Sequence, residues 1–280
     1  MKKTLLIAML LVFISASPSF AVTYYFKTAG VNNNWSNGAN WCDQTNGAGT
    51  CGTAPTASID AVIDSNSGTV VIDTTTCVSK TITATGFTGD ITFTAGQTLG
   101  VSGDITFDNT HTLSGTGTLQ PKAAGTITMD GLTFPGNVII ANTATYTLAG
   151  NLAITGTLTI ANSAVTFSGA YDISCDTFSY YGNVTTVSFV SGQTLTIATA
   201  MYLSAVSSAG ATFKGVTASS DTFLHFNGLA SACRISGIIF TDVNAAHALD
   251  NWYGGTLTRT TGITNRTSAD IGGGGGSAAW

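Results

Sequence analysis

Between residues 57 and 255 apolar and polar residues alternate in short runs, among them Ile91-Thr92-Phe93, Ile105-Thr106-Phe107, Ile127-Thr128-Met129 and Leu158-Thr159-Ile160. Successive side chains of an extended strand point to opposite faces, so a period of two sends one row into a core and the other to water. Thr supplies 49 of the 280 residues and fills most of the alternate positions. It is β-branched, which suits a strand, and polar enough for the wet face. Gly, Asn, Asp or Ser, the turn formers, follow each run. No segment beyond residue 21 carries a helical period. The pattern predicts an all-β chain in which Ile91, Phe93, Ile105, Phe107, Ile127, Val138, Ile140, Ile154, Leu158 and Ile160 face inward. Thr92, Thr106, Thr128 and Thr159 face outward.

Internal echoes choose among all-β folds. Phe93-Thr94-Ala95-Gly96-Gln97-Thr98-Leu99 recurs as Phe189-Val190-Ser191-Gly192-Gln193-Thr194-Leu195. Gly-Thr-Leu recurs at 117–119, 156–158 and 255–257, and Gly-Asn-Val at 136–138 and 182–184. The echoes fit coils of roughly 20–24 residues, each unable to bury its inner row except against its neighbours. They predict a right-handed parallel β-solenoid, with an antiparallel sandwich as the alternative.

All 14 acidic residues are Asp and none is Glu. Glu favours helices, whereas the short Asp side chain bonds nearby backbone N–H groups in turns. The formal net charge of −5 opposes binding to nucleic acid, whose phosphates require Lys and Arg. At the N-terminus, Lys2 and Lys3 precede an apolar run from Leu5 to Ile14 and the small-residue site Ser19-Phe20-Ala21. That order reads as a secretory signal cleaved after Ala21, leaving no membrane span. Export makes a Cys42–Cys51 disulfide plausible, and Cys77, Cys175 and Cys233 read as buried small hydrophobes. Four segments result: the signal (1–21), an aromatic capping segment (22–56), the solenoid (57–255) and a flexible Thr/Gly tail (256–280).

The segment from Asn32 to Trp41, with Trp35-Ser36 and Asn40-Trp41, resembles the aromatic opening of many secreted bacterial β-helix proteins. The stretch from Pro55 through Asp60 and Asp64 to Asp73 resembles the Asp-rich step that follows it there. The wider similarity is to pectin-lyase-like right-handed β-helices and adhesin-type surface proteins. It implies an exported solenoid that is either a structural, adhesive protein or a polysaccharide-active enzyme.

The enzymatic alternative needs two carboxyls about 5–10 Å apart. Asp60/Asp64, Asp104/Asp108 and Asp172/Asp176 are the nearest pairs in sequence, and four positions along a strand span ~13 Å unless a turn intervenes. Asp172 and Asp176 are the candidate catalytic pair. His111, His225 and His247 lie in no catalytic motif, and no cofactor-binding or metal-binding pattern occurs. The aromatic pairs Tyr180 and Tyr181, and Trp252 and Tyr253, are the candidate ligand-binding residues, because such rings stack on sugars. Trp35 and Trp41 read instead as a cap over the first coil. The expected function is a non-catalytic, adhesin-like protein, secreted or on the cell surface, whose partners are surface glycans or other extracellular components. A polysaccharide lyase or hydrolase is the alternative, and binding to ordered surfaces through Thr arrays is a third reading.

Overall fold

The structure is a computed structural model that describes residues 22–27, 32–45, 49–161, 163–182, 185–205, 211–215, 222–228, 232–236, 238–241 and 243–244. The signal segment, the Thr/Gly tail, His247, Trp252 and Tyr253 lie outside the described residues.

The chain is a parallel β-solenoid. Its first face stacks Val22–Phe26, Ile59–Ile63, Ile82–Ala84, Ile105–Phe107, Gly125–Thr128, Ala144–Leu148, Val165–Ser168, Thr186–Phe189, Ala211–Gly215 and Ile238–Thr241, all parallel. A second face holds Val70–Ile72, Asp90–Phe93 and Thr112–Gly115. A third begins with Cys77–Ser79, Thr98–Val101, Thr118–Pro121 and Asn137–Ile140. Each early coil therefore contributes three short strands, separated by turns.

Further along, the second and third faces merge. Leu152–Ala161, Ile173–Gly182 and Thr194–Ala205 are long strands that turn the corner without breaking. Their register shifts between Ile154 and Thr157, and again between Cys175 and Thr177. A bulge of this kind bends a strand while leaving the ladder on either side intact.

Register fixes the coil length. Ile82 pairs with Ile105, Ile105 with Ile127 and Ile127 with Leu148, steps of 21 to 23 residues. The inward set predicted from the alternation lies inside: Ile91, Phe93, Ile105, Phe107, Ile140, Leu158 and Ile160 are wholly buried, and Ile127, Val138 and Ile154 nearly so. Thr92, Thr106, Thr128 and Thr159 are part-exposed on the outer surface. The core is one continuous column in which like residues stack, as in Tyr146–Phe167–Phe189 on the first face.

Trp35 and Trp41 close the N-terminal end of this column. Their rings meet edge to face at 4.6 Å, Phe26 adds a second edge contact with Trp41 at 5.1 Å, and Trp41 Nε1 donates to the Trp35 carbonyl at 2.8 Å. Asn40 donates to the carbonyls of Asn32 and Asn34, holding the loop over the coil. Trp41–Cys42 runs antiparallel to Val22–Phe26, covering the Tyr25–Phe26 part of the first face's edge, and Cys42 is disulfide-bonded to Cys51. An uncovered strand edge offers unpaired backbone groups to other chains, and this pairing removes Tyr25 and Phe26 from that edge.

Candidate functional site

The carboxylates tie one coil to the next. Asp60 accepts from Thr81 Oγ1 at 2.7 Å and pairs with Lys80 at 3.2 Å. Asp90 takes the hydroxyls of Thr112 at 2.8 Å and Ser114 at 2.6 Å, both one coil on. Asp104 accepts from the backbone N–H of Thr126, Asp108 from that of Gly86, and Asp172 from that of Thr194. Asp176 accepts from the Thr199 hydroxyl. Burial opposes ionisation of Asp90, but the three hydroxyls of Ser114, Thr92 and Thr112 outweigh it and hold the carboxyl below its ordinary range.

Asp172, Ser174 and Asp176 alternate with the buried Ile173 and Cys175, so all three point outward. The strand begins at Ile173 and no turn folds between the two acids. Four extended positions separate them by ~13 Å, outside the range over which two carboxyls share a glycosidic bond. The structure does not bring this pair together.

Asp176 does line a shallow cleft of ≈ 370 Å³ with Thr133, Thr155, Ser174 and Thr196. The cleft follows the strand bulges across successive coils, and its floor includes Ile154 and Cys175. Burial pushes the Cys175 thiol up to about 12, which leaves it protonated and unreactive. Cys77 and Cys233 are also buried, and neither takes part in the disulfide.

The two adjacent tyrosines separate. Tyr180 is wholly buried and its hydroxyl bonds Thr185, so its ring is closed to a ligand. The assignment of both residues to a stacking surface is corrected by the pleat itself, since strand neighbours cannot share a face. Tyr181 stays outside at 46% exposure, and Tyr202, on the next coil of the same face, is exposed at 41%. Arg234 lies beside Tyr202 in register, its guanidinium 6.0 Å from the ring centroid. Neither Tyr202 nor Arg234 stands out in the sequence; the parallel register alone reveals them.

His111 is buried between Phe87 and Phe107, with Nδ1 3.2 Å from Asp108 and Nε2 without a partner. Burial lowers its pKa, against the pull of Asp108 and Asp90. His225 sits part-exposed on the outer face, in register with Thr196. Among the described residues no three His, Cys, Asp or Glu side chains gather into a metal-binding group, and no helix is long and apolar enough to cross a membrane. No protein family, curated protein or solved structure matches the chain.

Proposed function

We propose that this is an exported, non-catalytic solenoid that acts as a structural or adhesive element outside the cell. The observation that carries the reading is the use of its acids. Asp60, Asp90, Asp104, Asp108, Asp172 and Asp176 each bind donors one coil away. Carboxylates committed in this way stabilise a long rod with polar faces, and such a rod suits display or attachment. The signal-like N-terminus supports export, and the Thr-rich faces support contact with extracellular components.

The competing reading, a polysaccharide lyase or hydrolase, has the cleft beside Asp176 in its favour. One experiment separates them. The full chain is expressed with its N-terminus intact, the cells are fractionated, and the exported product is sequenced and incubated with a panel of polysaccharides. The proposal expects protein outside the cell beginning at Val22, retention on the cell surface or matrix, and no new reducing ends or unsaturated products. Retention inside the cell with Met1 in place refutes export. Product release abolished by Asp176→Ala establishes the enzyme instead.

A further inference from the structure

The geometry points to a binding site for an anionic glycan on the third face, built from Tyr181, Tyr202 and Arg234. The inference rests on the adhesive reading above and names the chemistry of its partner. Tyr202 and Arg234 are register partners on adjacent parallel strands, and Tyr181 is the register partner of Ser204, two residues beyond Tyr202. Neighbouring strands lie ~4.8 Å apart and two residues span ~6.6 Å, so the two tyrosines sit on a diagonal of about 8 Å. A single glycan chain can therefore reach both rings.

Three observations fix the class of ligand. Both rings are large apolar surfaces left about half exposed on a face whose inner row is fully packed. A tyrosine ring offers a flat apolar face to a sugar's C–H groups and a hydroxyl to its edge. The Arg234 guanidinium is exposed and pairs with no carboxylate among the described residues, although the chain carries 14 Asp against 9 Lys and Arg. Its position against the Tyr202 ring orients its planar fork, which suits bidentate binding of a carboxylate or sulfate. Ser179 and Ser204, outward-facing on the same two strands, add hydroxyls between the rings. A neutral glycan would leave the cation unused, whereas an anionic one uses both the cation and the two open tyrosine rings.

The test is affinity electrophoresis of the full chain through gels containing hyaluronan, dextran sulfate or uncharged dextran. Retardation by one or both anionic polymers and not by dextran is expected, and the two anionic arms tell carboxylate from sulfate recognition. Tyr202→Ala and Arg234→Gln should each weaken retardation about tenfold, whereas Tyr202→Phe should retain most of it. Retention should fall as salt screens the guanidinium. Tyr171→Ala, at another exposed tyrosine, should bind as the unaltered chain does. Equal retardation by dextran, or none by either anionic polymer, overturns the site. Retardation undiminished in a Tyr181→Ala/Tyr202→Ala/Arg234→Gln chain also overturns it while leaving the adhesive reading standing. Matching circular dichroism and melting curves establish that each variant is folded.

Discussion

Phe167→Ala tests whether stability in this rod is local to a coil. Phe167 is wholly buried in the first-face column, stacked on Phe189 at 5.5 Å with 22° between the rings and tilted against Tyr146 at 6.3 Å. Truncation removes the buried ring and leaves a cavity that both parallel neighbours, held by their own ladders, cannot collapse to fill. Substitutions of this kind cost about 3–5 kcal/mol, and the central position in an aromatic stack argues for the upper part of that range. In a solenoid each coil is stabilised only by its neighbours, so the loss should fall on the coils containing 144–148, 165–168 and 186–189. Native-state hydrogen exchange reads this directly. Amides in those strands should lose protection, while those in Ile82–Ala84 and Ile105–Phe107 keep theirs. Thr166→Ala, one residue away and outward-facing, should change stability by less than about 0.5 kcal/mol. A uniform loss of protection along the rod, or equal damage from the two substitutions, would refute the reasoning.

Acid should weaken the coils around His111 in two steps. Its folded pKa lies below the ordinary 6.5, so the unfolded chain takes up the proton first. Stability is therefore full above that value and falls with pH through the interval down to the lowered folded pKa. Asp90 and Asp108, both held below the ordinary 3.8, give a second loss as pH drops through their folded values. His111→Phe should abolish the first step, seen as a melting temperature that no longer falls as the pH drops below the ordinary histidine pKa. Cys42→Ser should cost about 2–3 kcal/mol through loop-closure entropy, with urea unfolding no longer responsive to reductant, and an unchanged midpoint would remove the bridge from the stability argument. Gly136→Ala should destabilise by about 1–3 kcal/mol in urea, because its Cβ would lie 2.0 Å from the Gly117 carbonyl oxygen; a neutral change would mean the corner can open.

The alternation made inside and outside legible because it is a property of neighbouring residues. Coil phase was harder, since it depends on pairing between residues about twenty apart. The Phe93–Leu99 echo illustrates the difference. Both copies make the same turn, with Gly96 and Gly192 at φ of 75° and 77°. The first joins the second face to the third, whereas the second leaves the first face. The echo is therefore turn grammar reused at different corners, not a marker of coil register. The Gly-Thr-Leu copies at 117–119 and 156–158 and the Gly-Asn-Val copy at 136–138 mark the register, whereas Gly182 of the second Gly-Asn-Val ends a strand elsewhere. A Cβ on Gly117, Gly136 or Gly156 would strike a carbonyl of the preceding coil, so these glycines stack at one corner. The Tyr180 error came from treating exposure as a property of a residue type, when its position on a strand decided it.

The step length varies along the rod. On the third face Leu119 pairs with Val138 and Val138 with Leu158, steps of 19 and 20 residues. Later, Phe178 pairs with Met201 and Met201 with Cys233, steps of 23 and 32. Bulges take up single residues within the strands, and the larger additions go into the connections, where insertion costs little. Asp60, Asp90, Asp104 and Asp108 tie the earlier coils to one another, and Asp172 and Asp176 tie the coils that carry Tyr181 and Tyr202. Tyr181 and Tyr202 are exposed on coils 23 residues apart, a step also found between Ile82 and Ile105, and Arg234 follows the step of 32. A rod needs only repetitive packing to hold its shape, and large apolar side chains on its wet face contribute nothing to that packing. Among the described residues Tyr202 stands beside an Arg234 that pairs with no carboxylate, and it is this juxtaposition on the wet face that the proposed glycan site uses.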